Sequence, residues 1–224
     1  MRIAILVDLS FFIAQYRQRM QCGDSSLNAT VVARAVYSTA CAHLKARDVL
    51  HRILIYDCKP LAKKAHNPIS RRAIDFAKTD THQFRTALLD ELVCKRKVAV
   101  RLGELADRNR WLIRAEPMKR LLSGSLQLSD LQESDVVYDV EQKGVDVKMS
   151  LDIAALAYKR LVDRIVLITG DSDFVPAAKL ARREGLDVVL DPLWAPVTQS
   201  LNEHIDGLRT CWPRQKQATT SLSA

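Results

Sequence analysis

Glycine, proline and aromatic residues are scarce in this sequence. The 224 residues include only 7 glycines and 7 prolines, so helices and strands should account for most of the chain. Aromatic residues make up 6% of it, few beyond those that a core requires. No apolar run approaches the roughly 18 residues of a membrane-spanning helix, and the apolar run at the N-terminus is too short for a signal peptide. We therefore expect a protein of regular structure without a membrane span.

Cysteines are also few, and they are scattered. Their number is odd, and no two of them form a C-x-x-C pair; they are Cys22, Cys41, Cys58, Cys94 and Cys211. This pattern disfavours both a disulfide framework and a zinc site. Reduced thiols in a cytoplasmic protein are the expectation.

Positive charge is in excess, at a formal net charge of +8. A basic chain that also carries a local cluster of acids is expected to bind a polyanion, with a metal ion to reconcile the two. Solubility charge on helical surfaces is the simpler alternative. Most of the basic residues cluster in the middle of the chain, at Lys59/Lys63/Lys64, Arg71/Arg72, Lys95/Arg96/Lys97, Arg108/Arg110/Arg114 and Lys119/Arg120.

Short apolar runs that end in acids are the most informative pattern. Residues 2–7 form one such run, which ends at Asp8, and residues 165–168 form another, which leads into Thr169-Gly-Asp171-Ser-Asp173. Further strands are predicted at 51–56, 98–102, 136–140 and 187–190, with a short edge strand at 111–114 that pairs with 98–102 as a hairpin. Helices are predicted at 28–47, 71–93, 144–161, 174–183 and 202–208, and a helix or lid at 119–128.

Strands that alternate with helices predict an α/β fold, a three-layer sandwich with a mainly parallel Rossmann-like sheet. Residues 1–212 are predicted to form a single domain with a basic, mostly helical elaboration at about 59–135. The polar residues 213–224 are predicted to be a disordered tail. In a parallel sheet the acids that follow the strands lie at one edge, where α/β folds place their sites.

Five acids are candidate ligands for Mg²⁺ or Mn²⁺, which prefer carboxylate and water oxygens. They are Asp8, Asp146, Asp152, Asp171 and Asp173. Each has a simpler role open to it: Asp171 or Asp173 could cap the helix that follows, and Asp152 could pair with Lys148. Asp146 and Asp152 are about 120° apart around an ideal helix, so they do not clearly share a face.

Three motifs resemble the NYN domain, a branch of the PIN-like nuclease superfamily that includes the LabA-like proteins. They are Lys143-Gly-Val-Asp146-Val-Lys-Met-Ser-Leu-Asp152, Thr169-Gly-Asp171-Ser-Asp173-Phe-Val-Pro176 and Arg182-Arg-Glu-Gly185. The resemblance is dense over about residues 140–190 and is supported by the first strand and Asp8. It implies a ribonuclease that uses Mg²⁺ or Mn²⁺ and acts on single-stranded or structured RNA.

The same resemblance assigns roles to particular residues. Metal ligands would be Asp8, Asp152, Asp171 and Asp173, with Asp146 as a further catalytic acid. Ser10, Thr169, Ser172 and Lys143 would position the substrate. A homodimer is left open as one oligomeric state.

One position departs from the family pattern. Family members commonly follow the first acid with small or amide residues, whereas this chain has Asp8-Leu-Ser10-Phe11. Phe11 favours the alternative of an inactive NYN-fold scaffold that binds RNA. A dehalogenase-type phosphohydrolase is disfavoured, because that class needs an acid where Ser10 stands. Trp111 and Tyr138 are candidates for stacking on bases, but core packing explains them more simply, and His66 and His82 are expected at the surface.

Overall fold

A seven-stranded sheet forms the centre of the protein, in a computed structural model that describes residues 1–21 and 26–212. The strands of the chain are β1 (Arg2–Asp8), β2 (Val49–Cys58), β3 (Lys64–His66), β4 (Ala73–Asp75), β5 (Val98–Ile113), β6 (Val136–Lys143), β7 (Arg164–Ile168), β8 (Asp187–Asp191) and β9 (Gly207–Leu208). The central sheet has the order β6-β5-β2-β1-β7-β8-β9, and only the β5–β6 pair is antiparallel. β3 and β4 form a separate small hairpin.

Helices cover both faces of this sheet. They are α1 (Leu9–Met20), α2 (Ala29–Cys41), α3 (Asp80–Val93), α4 (Ala115–Leu122), α5 (Val145–Tyr158), α6 (Val175–Arg183) and α7 (Gln199–Asn202). Alternate residues of β1 serve the two faces: Ile3, Ile5 and Val7 pack with α1 to α3, while Ala4 and Leu6 pack with α5 and α6. The predicted three-layer α/β sandwich is confirmed.

The predicted strands at 2–7, 51–56, 136–140, 165–168 and 187–190 are all present. The predicted hairpin between 98–102 and 111–114 is wrong, because both segments belong to β5 and its antiparallel partner is β6. A bulge between Asp107 and Trp111 interrupts the pairing, and Asn109 there has a φ of 51°. In the sequence, the residues of this bulge resemble those of a turn between two strands.

Two predicted helices have wrong boundaries, and a third is not formed. Residues 71–79 form β4 and a 3₁₀ turn, and α3 begins only at Asp80, after Thr79 caps it. The helix predicted to reach residue 47 ends at Cys41. The helix predicted at 202–208 is wrong, since α7 ends at Asn202 and β9 follows. The predicted tail lies outside the described residues.

The predicted elaboration at 59–135 contains α3 and the first half of β5, which belong to the central layers. It also contains β3 and β4. We propose that the elaboration is confined to the β3–β4 hairpin and the outer part of the β5–β6 pair.

Among the described residues, no helix has the length and apolar character needed to cross a membrane.

A buried hydrogen bond ties the segment after α2 to the end of β8. His43, just after α2, is 1% exposed, and Asp191, the last residue of β8, is 0% exposed. His43 Nε2 and Asp191 Oδ2 are 2.9 Å apart. Asp191 also accepts hydrogen bonds from the backbone N–H groups of Leu193 and Cys211, at 2.9 and 3.1 Å. The carboxylate therefore holds three chain segments together.

We expect Asp191→Ala to lower the free energy of unfolding by about 3–5 kcal/mol, because loss of one partner leaves the rest of a buried pair uncompensated. The matched control is Asp187→Ala at the other end of β8. Its pair with Arg164 is partly exposed, and its loss should cost about 1 kcal/mol or less. Urea denaturation measures both changes. Equal losses would show that the His43–Asp191 pair does not anchor these segments.

Candidate functional site

Parallel pairing of β1 with β7 brings two acidic segments together. Val7 lies opposite Ile168 in the register, so the residues that follow the two strands meet at the carboxyl edge of the sheet. Asp8 is the last residue of β1, and Thr169-Gly170-Asp171 follows β7. The sequence predicted this convergence.

Asp8 caps a helix and is also a carboxyl group whose ionised form is unfavourable. Its Oδ1 accepts a hydrogen bond of 3.0 Å from the backbone N–H of Phe11, which caps α1. Burial raises its pKa to about 6, against the effect of that hydrogen bond, and the charges of Asp146, Asp57 and Asp171 add to the rise. An ionised Asp8 is therefore costly in this place.

Asp146 reaches the same place from the first turn of α5. Burial raises its pKa, and the charges of Asp171 and Asp173 raise it further. Asp8, Asp146, Asp171 and Asp173 thus act on one another through their charges, and we call them the acidic group. Among the described residues, no lysine, arginine or histidine forms an ion pair with any of the four.

Asp171 performs the capping role as well. Its Oδ1 accepts from the backbone N–H of Asp173 at 2.9 Å, and its own N–H donates to Thr169 Oγ1 at 3.2 Å. Thr169 is fully buried, and Ser172 lies in the 3₁₀ turn that Asp171 caps. Capping and membership of the acidic group are therefore compatible, since a cap uses only one carboxylate oxygen.

Asp152 lies apart from the acidic group. Its Oδ2 accepts a hydrogen bond of 2.9 Å from Tyr56 Oη and is 3.1 Å from Arg101 Nε. Burial, and then the charge of Asp152, raise the pKa of Tyr56. Asp152 has its own cation and is not among the charges that raise the pKa of Asp8 or Asp146. The structure does not bring this predicted ligand together with the other four.

Asp57 was not predicted, although it follows the second apolar strand as Asp8 follows the first. It is 1% exposed and pairs with Arg85 of α3, whose Nη1 is 2.7 Å from Asp57 Oδ2. Ser10 Oγ donates to Asp57 at 3.2 Å and accepts from Arg85 Nη2 at 3.1 Å and from Gln142 Nε2 at 3.0 Å. We call Ser10, Asp57, Arg85 and Gln142 the Arg85 network.

The predicted substrate-positioning residues thus have different surroundings. The Ser10 hydroxyl has its donor and both acceptor sites occupied within the Arg85 network. Lys143 is an exposed residue at the end of β6, paired with Glu104 of β5. Direct contact of Ser10 with a substrate would require one of its bonds to break, whereas Lys143 is open to solvent.

Phe11 packs against the loop that carries Asp171. A Cβ atom built on Gly170 would lie 2.7 Å from Cε2 of the Phe11 ring. Only glycine fits there without displacing the ring. The bulky residue at this position is therefore accommodated by Gly170 and lies directly beside the acidic group.

Two groups deserve comparison as metal sites. In the described part of the chain, the one set of three ligand side chains whose donor atoms all lie within 4.8 Å of one another is His43, Asp191 and Cys211. In this set His43 Nε2 is bonded to Asp191, which also accepts a backbone N–H from Cys211, while the buried His43 Nδ1 has no hydrogen-bond partner among the described residues.

The acidic group does not form such a closed set, yet its chemistry fits a hard cation better. It offers only carboxylate oxygens, and its mutual repulsion has no counter-charge in the described residues. Mg²⁺ is usually held by one or two carboxylates with water and substrate phosphates, so it needs no closed protein cage. Of these two groups, the acidic group is the better candidate metal site.

Three comparisons relate the chain to known proteins. A solved structure of a protein of unknown function from Vibrio parahaemolyticus is similar at 18% sequence identity and a TM-score of 0.43, and the match covers 92% of this chain and 90% of that one. A comparison with curated proteins gives no match. The sequence model of the NYN domain matches residues 2–200, which include β1, the acidic group and the Arg85 network. The chain therefore belongs to the NYN domain family.

Proposed function

We propose that this protein is a metal-dependent ribonuclease that hydrolyses RNA phosphodiester bonds at the acidic group. The NYN domain falls within the PIN-like nuclease superfamily, whose members typically use divalent metals. One observation carries the proposal for this chain: its acidic group has no protein counter-charge among the described residues, while Asp57 and Asp152 each pair with an arginine. The missing charge would be supplied by Mg²⁺ or Mn²⁺.

The ion, when bound, would activate water and stabilise charge on a phosphate. The residues of the chain supply the rest. Asp8 and Asp171 present carboxylates whose orientation is fixed by their capping hydrogen bonds to Phe11 N and Asp173 N. Asp146 and Asp173 add negative charge that favours a cation. We leave Asp152 out of the proposed ligands, because Arg101 already neutralises it.

RNA is the proposed substrate because the chain as a whole is basic while this site is acidic. A net charge of +8 favours binding of a polyanion. The acidic group favours binding of a cation, which would offset the repulsion between these carboxylates and the phosphates of RNA. Some cations of the predicted phosphate-binding clusters are already paired, since Arg108 contacts Glu141 and Arg110 contacts Asp139. Phosphate contact is therefore proposed for the exposed Lys59 and Lys143 rather than for these arginines.

A second candidate function is an RNA-binding scaffold without catalysis. The contact between Phe11 and Gly170 favours it, because an apolar ring lies beside Asp171 where the family commonly has a small or amide side chain. Retention of RNA without cleavage, in the presence of Mn²⁺, would support this alternative.

The central prediction concerns three aspartates. Asp8→Asn and Asp171→Asn should each reduce RNA cleavage by about 100-fold or more, because each removes charge from the proposed cation site. Asp152→Asn should keep cleavage within about threefold, because its charge is balanced by Arg101 outside the site. End-labelled single-stranded and structured RNAs, incubated with Mn²⁺, Mg²⁺ or a chelator, measure the rates, and products should carry a 5′-phosphate.

The outcomes separate the alternatives. Equal cleavage by wild type, Asp8→Asn and Asp171→Asn would identify a contaminating nuclease and overturn the proposal. A loss with Asp152→Asn as large as with Asp8→Asn would show that Asp152 belongs to the site despite its pairing. Cleavage that persists in chelator would contradict the metal dependence.

A second prediction follows from the raised pKa of Asp8. Its folded-state pKa of about 6 lies above the ordinary 3.8, so the stabilising protonated form is present at low pH and is lost as pH rises through about 6. Asp8→Asn keeps the cap and removes the charge. Without metal, it should raise the free energy of unfolding by up to about 3 kcal/mol at pH 7.5 and leave it unchanged at about pH 4.

Urea denaturation at both pH values tests this, with the exposed Asp173→Asn as the control that should change stability less. Added Mn²⁺ should stabilise the wild type more than Asp8→Asn. His43→Ala should not alter this metal effect, because His43 belongs to the other candidate group. A variant Asp8→Asn that is less stable than wild type at pH 7.5 would refute the unfavourable burial of Asp8.

A further inference from the structure

A cavity of about 530 Å³ lies beside the Arg85 network. It is bounded by the segment that follows β2, by the start of α3 and by the β5–β6 pair. Two members of the Arg85 network, Arg85 and Gln142, are part of its wall. Through this network the cavity wall is connected to Ser10, two residues after Asp8, and to Asp57, whose charge acts on Asp8.

Much of the lining is apolar and presents flat or aliphatic surfaces. Phe76 and Tyr138 form an aromatic wall, with ring centroids 5.1 Å apart. Leu61, Leu105 and Val140 supply aliphatic surface. Such a lining suits a flat heterocycle, which gains from stacking and from contact on both faces.

The polar groups of the lining offer both donors and acceptors. His82 Nδ1 is 2.9 Å from the carbonyl oxygen of Leu61, so Nδ1 carries the proton and Nε2 is an acceptor in the neutral ring. Gln142 uses Nε2 on Ser10, and this leaves its Oε1 as an acceptor. Arg85 uses Nη1 on Asp57 and Nη2 on Ser10, and a guanidinium has five N–H groups in total.

We propose that this cavity binds one unstacked nucleobase of the RNA substrate and so selects the phosphodiester that is cleaved. The proposal rests on the proposed ribonuclease function. A base edge combines donors and acceptors, as the lining does, and Lys59 and Arg114 at the cavity place positive charge beside the phosphates that accompany a base. The volume suits one nucleotide and is too small for a folded segment of protein.

The Arg85 network links the base to the reaction. Arg85 contacts Asp57 at 2.7 Å, and the charge of Asp57 acts on Asp8. A base held against Arg85 and Gln142 is therefore connected to the proposed cation site through Asp57. Its position fixes which neighbouring phosphate reaches Asp8 and Asp171.

The test is a variant that fills the cavity. Val140 lines it, is 38% exposed and lies on the edge strand β6, where tryptophan is tolerated. The matched control is Leu112→Trp on β5, because Leu112 is 42% exposed and does not line the cavity. Cleavage of a random-sequence single-stranded RNA pool, sequenced at the cut ends, gives the base preference at each position.

Wild type and Leu112→Trp should show a preference of about 10-fold at one position near the cut. Val140→Trp should reduce that preference to about twofold or less, with slower cleavage of the preferred sequences. A wild type that cleaves with no preference at any position would overturn the proposal. So would a preference unchanged in Val140→Trp.

A binding measurement separates this proposal from the ribonuclease function. The four nucleoside 5′-monophosphates, added to metal-free protein, should shift the imidazole NMR signals of His82, which a His82→Gln variant assigns. The signals of His204, which does not line the cavity, should stay in place. His82 shifts that Val140→Trp abolishes, in a protein that cleaves no RNA, would support the cavity and reject the nuclease. Cleavage without His82 shifts and without base preference would reject the cavity alone.

Discussion

Four carboxylates near the ends of β1 and β7 act on one another through their charges, the described residues supply no cation to them, and this constraint organises the site. The sheet enforces it, because the parallel register of Val7 with Ile168 fixes where both strands end. Two other acids show the alternative arrangement: Asp57 pairs with Arg85 and Asp152 pairs with Arg101. The chain thus has the means to neutralise acids at this edge and does not use them for Asp8. Burial raises the pKa of Asp8, and the charges of Asp146, Asp57 and Asp171 raise it further; a proton or a divalent ion would offset both effects.

Much of the fold could be predicted because buried parallel strands have a local signature. The runs at 2–7 and 165–168 are continuous, apolar and short, and the structure places strands there within a residue. The pairing of β5 with β6 was not predicted, because the outer part of this pair is exposed and charged. The apolar pattern that marks the start of each strand does not continue through it. Asn109 makes the bulge look like a turn, since a residue with positive φ is common in both. Whether such a segment continues as one strand depends on β6, which is distant in the sequence.

The candidate site, like the fold, could be predicted where it depends on the buried parallel strands. Asp8 and Asp171 follow strands, so their convergence depends only on the sheet being parallel. Asp152 lies on a helix, where a separation of six residues from Asp146 turns it toward β2 and β5, and its partners Tyr56 and Arg101 lie on those strands. Asp57 had the same sequence signal as Asp8. Its pairing with Arg85, 28 residues away, had no signal in the sequence, because one arginine on a helix makes no repeating pattern that would indicate its partner.

Phe11 matters less for the position of Asp8 than its departure from the family pattern suggests. The contact that orients Asp8 comes from the backbone N–H of Phe11, which any residue except proline would provide. What the side chain changes is the packing against Gly170, and Gly170 has no Cβ to oppose it. The acid is therefore held as it would be with a small residue at this position, while the surface beside Asp171 becomes apolar. An apolar surface there excludes water from one side of the acidic group, which strengthens the repulsion among its charges and the attraction for a cation.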